Sequence, residues 1–294
     1  MALSSFGLYH SPGNHPSSSP SLSLTRNLFV IFVFHVDFLY ILRYNELIKT
    51  ISFLSIFCFF LVRKEHHIMY TYELHSHTSE CDRDAYLSAR ELVRLYKDAG
   101  YDGMVITDHY IERFYTLWFP EDVRGLTHEQ QVTRWLRGFR TARDEGEKID
   151  FTVLPGAEVR FDGYPNDYLL YGLHEEFFYT VPRLNELKNI GELLALLPEN
   201  VCVVHAHPFR DDMVVETPRG LFGMEVFNGG TDSFRNGLAR QFAAHYGLAM
   251  TSGSDIHDMS RLAKGGIRTQ RPIRTPEDLT AVLRSGEYEL IENS

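Results

Sequence analysis

"YELHSHTSECD", Tyr72 to Asp82, sets His75 and His77 one residue apart behind an acid and a leucine. Residues i and i+2 of a β-strand point to the same face, so a strand ending here projects both imidazoles side by side. Side by side, they can hold one ion. A lone His-x-His pair is as readily a pair of core or loop histidines, and the remainder of the chain has to separate the two readings.

Beyond this stretch strands and helices alternate. Ser88 and Glu91 form a capping box for a helix whose apolar positions Leu92, Leu95, Tyr96 and Ala99 share one face, and Gly100 closes it. "GMVITDH", Gly103 to His109, reads as the next strand. Thr127 with Gln130 then caps a helix carrying Val132, Trp135, Phe139 and Ala142 on its buried stripe. Further strands are expected in "FTVLPGAE", "DYLLYGL", "VCVVHAH", "GMEVF" and "LAMTSGSD". A helix is expected from about Thr231 to Tyr246, another after Thr275 and Pro276, and a last strand at "YELIE". Repeated β–α alternation predicts a parallel sheet.

The predicted strands finish in "ELHSH", "TDH", "GAE", "HAHPFR" and "GSDIH", so most carry His, Asp or Glu at their carboxyl ends. In a (β/α) barrel those ends meet at one face, where active sites lie. His75, His77, His109, His205, His207 and His257 all sit in these segments, whereas His128, His174 and His245 read as ordinary core or surface residues. Burying so many imidazoles and carboxylates together is unfavourable unless a cation or hydrogen bonds compensate them. The opening pair therefore begins a metal site assembled from several strands.

Composition narrows the function classes. With 294 residues and 44% hydrophobic content the chain can bury a sizeable core, most simply as one large domain. A net charge of −10 and no long basic run argue against a nucleic-acid-coating surface, and no stable nucleic-acid complex is expected. Cys58, Cys81 and Cys202 have no paired spacing, which suggests a reducing, cytoplasmic compartment. The chain changes character near residue 68. Residues 1–68 hold a Ser/Pro-rich stretch, nine of the 21 phenylalanines and two of the 21 glycines. Their two apolar runs, between residues 28 and 62, fall short of the roughly 18 to 20 clean apolar residues of a spanning helix. Membrane anchoring there is the minority reading. The expected division is an extension over 1–68, disordered or apolar and without a native role, followed by the functional domain over 69–294.

In order and spacing, "LHSHT" with an acid five residues after its second His, then "TDH", "GAE", "HAHPFR", "EVFNG" and "GSDIH", resemble the PHP family, the polymerase and histidinol phosphatase domain. The resemblance runs from residue 70 to about 260. It implies an α/β fold, a distorted (β/α)7 TIM-like barrel with the N-terminal extension outside it, and a metal centre at the carboxyl face that hydrolyses phosphate esters. On that resemblance His75, His77, Asp82, His109, Glu158, His207, Asp255 and His257 fall on metal-ligand positions, with Glu158 bridging and Asp84 a neighbour that could replace Asp82.

The cofactor implied is two or three divalent transition-metal ions, and mixed nitrogen and oxygen ligation suits Mn, Zn or Fe. Where many family members have a further His about ten residues after the glutamate, this chain has Tyr168, so two firmly bound ions are expected. His205 is either a support for a ligand or an extra ligand. Asp255, His257 and Arg210 are the expected catalytic residues, Arg210 as a phosphate-binding fork, with Lys264 and Arg160 as weaker candidates for that role. The expected substrate is a small phosphomonoester, histidinol phosphate or nucleotide-like. Two other readings stay open: a metal-dependent amidohydrolase, and a catalytically silent metal-binding regulatory module. The aromatic stretch "YIERFYTLWFP", Tyr110 to Pro120, is expected to cover the metal face as a specificity loop.

Overall fold

Tyr70–Glu73 forms β1, and the chain leaves it in the extended course that carries His75 and His77. The structure, a computed structural model, describes residues 69–293. The extension over 1–68 and the anchor reading for 28–62 lie outside the described residues. Among the described residues no helix is long and apolar enough to cross a membrane.

The first helix, α1 (Ala89–Asp98), starts at Ser88 with the reciprocal capping box that the sequence predicts. Its buried face is Ala89, Leu92, Val93 and Tyr96; of the expected stripe, Leu95 is half-buried and Ala99 exposed. Strands β2 (Gly103–Ile106) and β3 (His109–Tyr110) follow. The helix expected after Thr127 is two helices, α2 (His128–Trp135) and α3 (Arg137–Gly146), broken at Leu136, and all four stripe residues are nonetheless buried. Gly138 explains how close α3 lies. A Cβ there would come within 2.2 Å of Thr78 Oγ1 and 2.3 Å of Asp108 Oδ2, so only glycine lets the helix rest on that pair.

The predicted strand "FTVLPGAE" is two strands, β4 (Thr152–Pro155) and β5 (Ala157–Arg160), separated by Gly156. Then come β6 (Asp167–Tyr171), α4 (Ile190–Leu196), β7 (Cys202–His205), β8 (Gly223–Asn228), α5 (Ser233–Tyr246) and β9 (Ala249–Gly253). The described chain finishes with β10 (Gly265–Thr269), α6 (Pro276–Ser285) and β11 (Glu289–Glu292). Strand β10 has no counterpart in the sequence reading, because its two opening glycines look like a turn.

The strands make two sheets, ordered β11-β10-β1-β2-β4 and β3-β5-β6-β7-β8-β9. Pairs β1/β2, β2/β4, β3/β5, β7/β8 and β8/β9 are parallel as expected. Pairs β5/β6, β6/β7, β1/β10 and β10/β11 are antiparallel, so the uniformly parallel sheet is corrected to a mixed one. Between β5 and β6 the reason is plain: six residues cannot make the dozen-residue crossover that parallel neighbours need. The pairing shows a mixed α/β fold.

The two sheets meet beside the histidines. Ser76 bridges in parallel to Ile256, the Thr107 amide donates to Ser76 O at 3.0 Å, and the Gly156 amide donates to Ile106 O at 2.9 Å. Chain leaving β1, β2, β4 and β9 is thereby drawn to one place.

Candidate metal centre

Each candidate donor is aimed by a short departure from regular structure. His75 and His77 flank the bridge at Ser76, His109 opens β3, and Glu158 is its cross-strand partner in β5. Asp255 and His257 flank Ile256 on the other side of the bridge. His207 and Asp255 adopt left-handed backbone, φ +29° and +50°, a conformation that a β-substituted residue holds only when its surroundings enforce it. Gly253 makes room: a Cβ there would lie 2.3 Å from His75 Cβ and 2.7 Å from Glu225 Oε1.

The donors form a ring of alternating sign. Glu158 Oε2 lies 3.3 Å from His75 Nε2 and 3.3 Å from His77 Nε2, and Asp255 Oδ1 lies 3.6 and 3.3 Å from the same two nitrogens. Adjacent donors on a tetrahedral ion bound at about 2.0–2.2 Å are separated by about 3.3–3.6 Å. A second group sits toward solvent: Asp82 Oδ2 is 3.1 Å from His257 Nε2 and 3.5 Å from His109 Nε2, with His77 lying between this group and the ring. Asp84, the alternative to Asp82, is exposed, and its amide donates to Asp82 Oδ1. At a third corner His207 Nε2 meets Glu158 Oε1 at 2.9 Å.

These contacts are mostly not hydrogen bonds. His75 Nε2, both nitrogens of His77, Asp82 Oδ2, His109 Nδ1 and Glu158 Oε2 are buried without a hydrogen-bond partner. Orphaned buried polar atoms are costly, and here they converge on common points, so the residues fit bound cations. The electrostatics agree. Burial alone would raise the Glu158 and Asp255 carboxyls, but neighbouring imidazoles hold both well below the usual carboxylate range. Burial would lower His75 and His109, yet Glu225 with Glu158 pushes His75 well up, and Glu158 takes His109 up to about 9. His77 goes the other way, to about 3, because burial and the imidazoles of His109 and His257 both disfavour a charge on it.

Supports that the sequence reading did not assign surround the donors. Glu225 accepts from His75 Nδ1, from the His207 amide and from Asn228 Nδ2, each at 2.9 Å. Glu73 accepts the amides of Leu74, His75 and Ser254 and the hydroxyl of Tyr96, tying β1 to the Asp255 segment. Asp108 accepts the amide and hydroxyl of Thr78. The usable signal was an acid inside an apolar strand run, as in "GMEVF", since such an acid needs a partner.

Asp255 divides its oxygens. Oδ1 faces the imidazoles, while Oδ2 is paired with Arg210 and with Arg261 Nη1, the latter at 3.2 Å. Arg210 also donates to Asn228 Oδ1 at 2.9 Å, again through Nη2. Lys264 makes no ion pair among the described residues, and Arg160 is taken up by Asp167. His205 stands apart. No hydrogen bond or ion pair joins it to the donors among the described residues, and its ring lies 5.4 Å from Tyr168, its cross-strand partner. In the stretch from Tyr110 to Pro120, Ile111, Phe114, Trp118 and Phe119 are buried in the core, and Trp118 borders the donors, its ring 5.8 Å from His109.

Comparison with known proteins follows the same lines. A family described as PHP-associated matches residues 234–288. No curated protein sequence matches the chain. A two-domain protein from Bacteroides vulgatus containing a predicted PHP-like metal-dependent phosphoesterase superposes with a TM-score of 0.55 at 16% identity, covering 76% of this chain. The match spans 65% of that protein's own length. PsfC from Pseudomonas syringae superposes at 0.52 with 16% identity, over 72% of this chain and 88% of its own. An amidohydrolase from Chromobacterium violaceum reaches only 0.45 at 14% identity, over 76% and 98%, and carries no argument. At such identities the structures speak for the fold alone, and that fold, the PHP-associated match over residues 234–288 and the ordered motifs together support a PHP-domain protein.

Proposed function

We propose that the chain is a metal-dependent phosphatase that hydrolyses a small phosphomonoester, histidinol-phosphate-like or nucleotide-like, with a metal-activated water. The observation that supports it most is the alternating ring of His75, Glu158, His77 and Asp255, next to the more open group of Asp82, His109 and His257. Two divalent ions, Mn, Zn or Fe, would supply Lewis acidity for both the attacking water and the phosphoryl oxygens. Glu225 fixes the His75 proton on Nδ1 and so leaves the Nε2 lone pair for the ring. His257 Nδ1 lies 3.0 Å from Asp255 O, which turns its Nε2 toward Asp82.

The buried ring is closed to substrate, whereas the side chains of His109 and His257 are 13% and 17% exposed and that of Arg210 is 30% exposed. A phosphate therefore enters on that side. Only Nη2 of Arg210 is engaged among the described residues, which leaves Nε and Nη1 to bind a phosphoryl oxygen. The same reading places the protein in the cytoplasm, acting without a nucleic-acid or membrane partner.

A panel of phosphate esters, assayed with added Mn or Zn beside a panel of amides and lactones, tests this reading. Turnover confined to phosphomonoesters supports it. Turnover confined to amides makes the protein an amidohydrolase, and a metal-loaded protein inert on both is the regulatory module.

A further inference from the structure

We propose that Arg160 supplies the cation at the third corner of the centre, so that the chain binds two metal ions although its donors outline three positions. The inference rests on the metal centre of the proposed function.

Three groups of donors can be drawn: His77 with Asp82, His109 and His257; His75 with His77 and Asp255; and His75 with Glu158 and His207. The first two share His77, which the ring keeps, leaving Asp82, His109 and His257 for the second ion; the last two compete for one atom of His75. His75 Nδ1 is committed to Glu225, so Nε2 alone is free, and one lone pair serves one ion. Once His75 belongs to the ring, the third corner keeps His207 Nε2, Glu158 Oε1 at 2.9 Å and Asp167 Oδ2 at 3.7 Å.

Asp167 is wholly buried, and a buried carboxylate requires a positive partner. Arg160 is that partner. It is the cross-strand neighbour of Asp167 in the β5/β6 pair and grips it with two nitrogens, Nε to Oδ1 at 2.7 Å and Nη2 to Oδ2. Strand alternation puts Arg160 on the same face as Glu158, two residues earlier. Tyr168 is the next residue after Asp167 and faces the other side of β6, where its hydroxyl donates to Glu216 at 2.7 Å. A guanidinium stays protonated at any working pH and cannot activate water. Arg160 is thus a fixed charge that holds Asp167 in place, with Asp167 Oδ2 3.7 Å from His207 Nε2.

Elemental analysis of the full chain after reconstitution with excess Zn or Mn and desalting tests the proposal. Wild type is expected to hold two ions and Arg160→Met three, and adding Asp167→Asn to Arg160→Met should return the count to two. Arg160→Gln also removes the charge and should hold three, which covers the case in which Arg160→Met does not fold by circular dichroism, whereas Arg160→Lys keeps the charge and should stay at two. Three ions in wild type, or two in a folded Arg160→Met, would overturn the role of Arg160 and leave the metal centre standing. Less than one ion in wild type would remove the centre itself.

Discussion

Glu225 shows how much a single side chain beyond the donors controls. It holds one nitrogen of His75 and the backbone of His207, so Glu225→Gln should lower metal affinity by about 10- to 100-fold, measured by competition with a chromophoric chelator. Arg210→Ala should raise KM for a phosphomonoester by about 10-fold, roughly 1.4 kcal/mol, with metal stoichiometry unchanged, because its free nitrogens serve the substrate. Proton linkage gives a third expectation. His109, raised to about 9, and His75, raised well above its ordinary value by its acids, carry protons at neutral pH that a metal must displace. Metal uptake should therefore release protons, and affinity should climb with pH toward about 9. A titration in two buffers of different ionisation enthalpy measures the release, and none at pH 7 would contradict the assignment. At this scale the donors were legible because His and Asp at strand ends repeat. Glu225, Glu73 and Arg261 were not, because a lone acid or base carries no spacing to recognise.

Among the elements, β9 packs tightly at its last residue, Gly253. Gly253→Ala would press a methyl into His75 Cβ and the Glu225 carboxylate, so it should cost about 1–3 kcal/mol by denaturant unfolding and lose metal content as well. Three helix starts were read well, since Ser88, Thr127 and Thr275 carry their capping boxes openly, but the break at Leu136 and helix α4 were not read. The sheet was read less well. Alternation of strand and helix implied parallel neighbours, but the short β5–β6 link and the glycine-opened β10 introduce antiparallel pairs that periodicity does not encode. His205 was misplaced for a related reason. Two residues before His207 it should share its face, but the chain turns at His207, with φ +29°, and leaves His205 beside Tyr168.

Across the whole molecule the centre joins the two sheets, since its donors come from β3 and β5 and from the chain leaving β1, β7 and β9. Ions bound there should stabilise the folded chain by about 2.7 kcal/mol each at a free concentration 100 times the dissociation constant, and a chelator should lower Tm accordingly in calorimetry. The most direct test of the whole account follows metal content and phosphomonoester hydrolysis together as the metal-stripped protein is reloaded. Two equivalents per chain are predicted, with hydrolysis appearing as the second binds, and with His77→Ala or Asp255→Ala lowering the rate by orders of magnitude. A folded protein that takes up less than one equivalent, or that hydrolyses the ester equally well without metal, would contradict it.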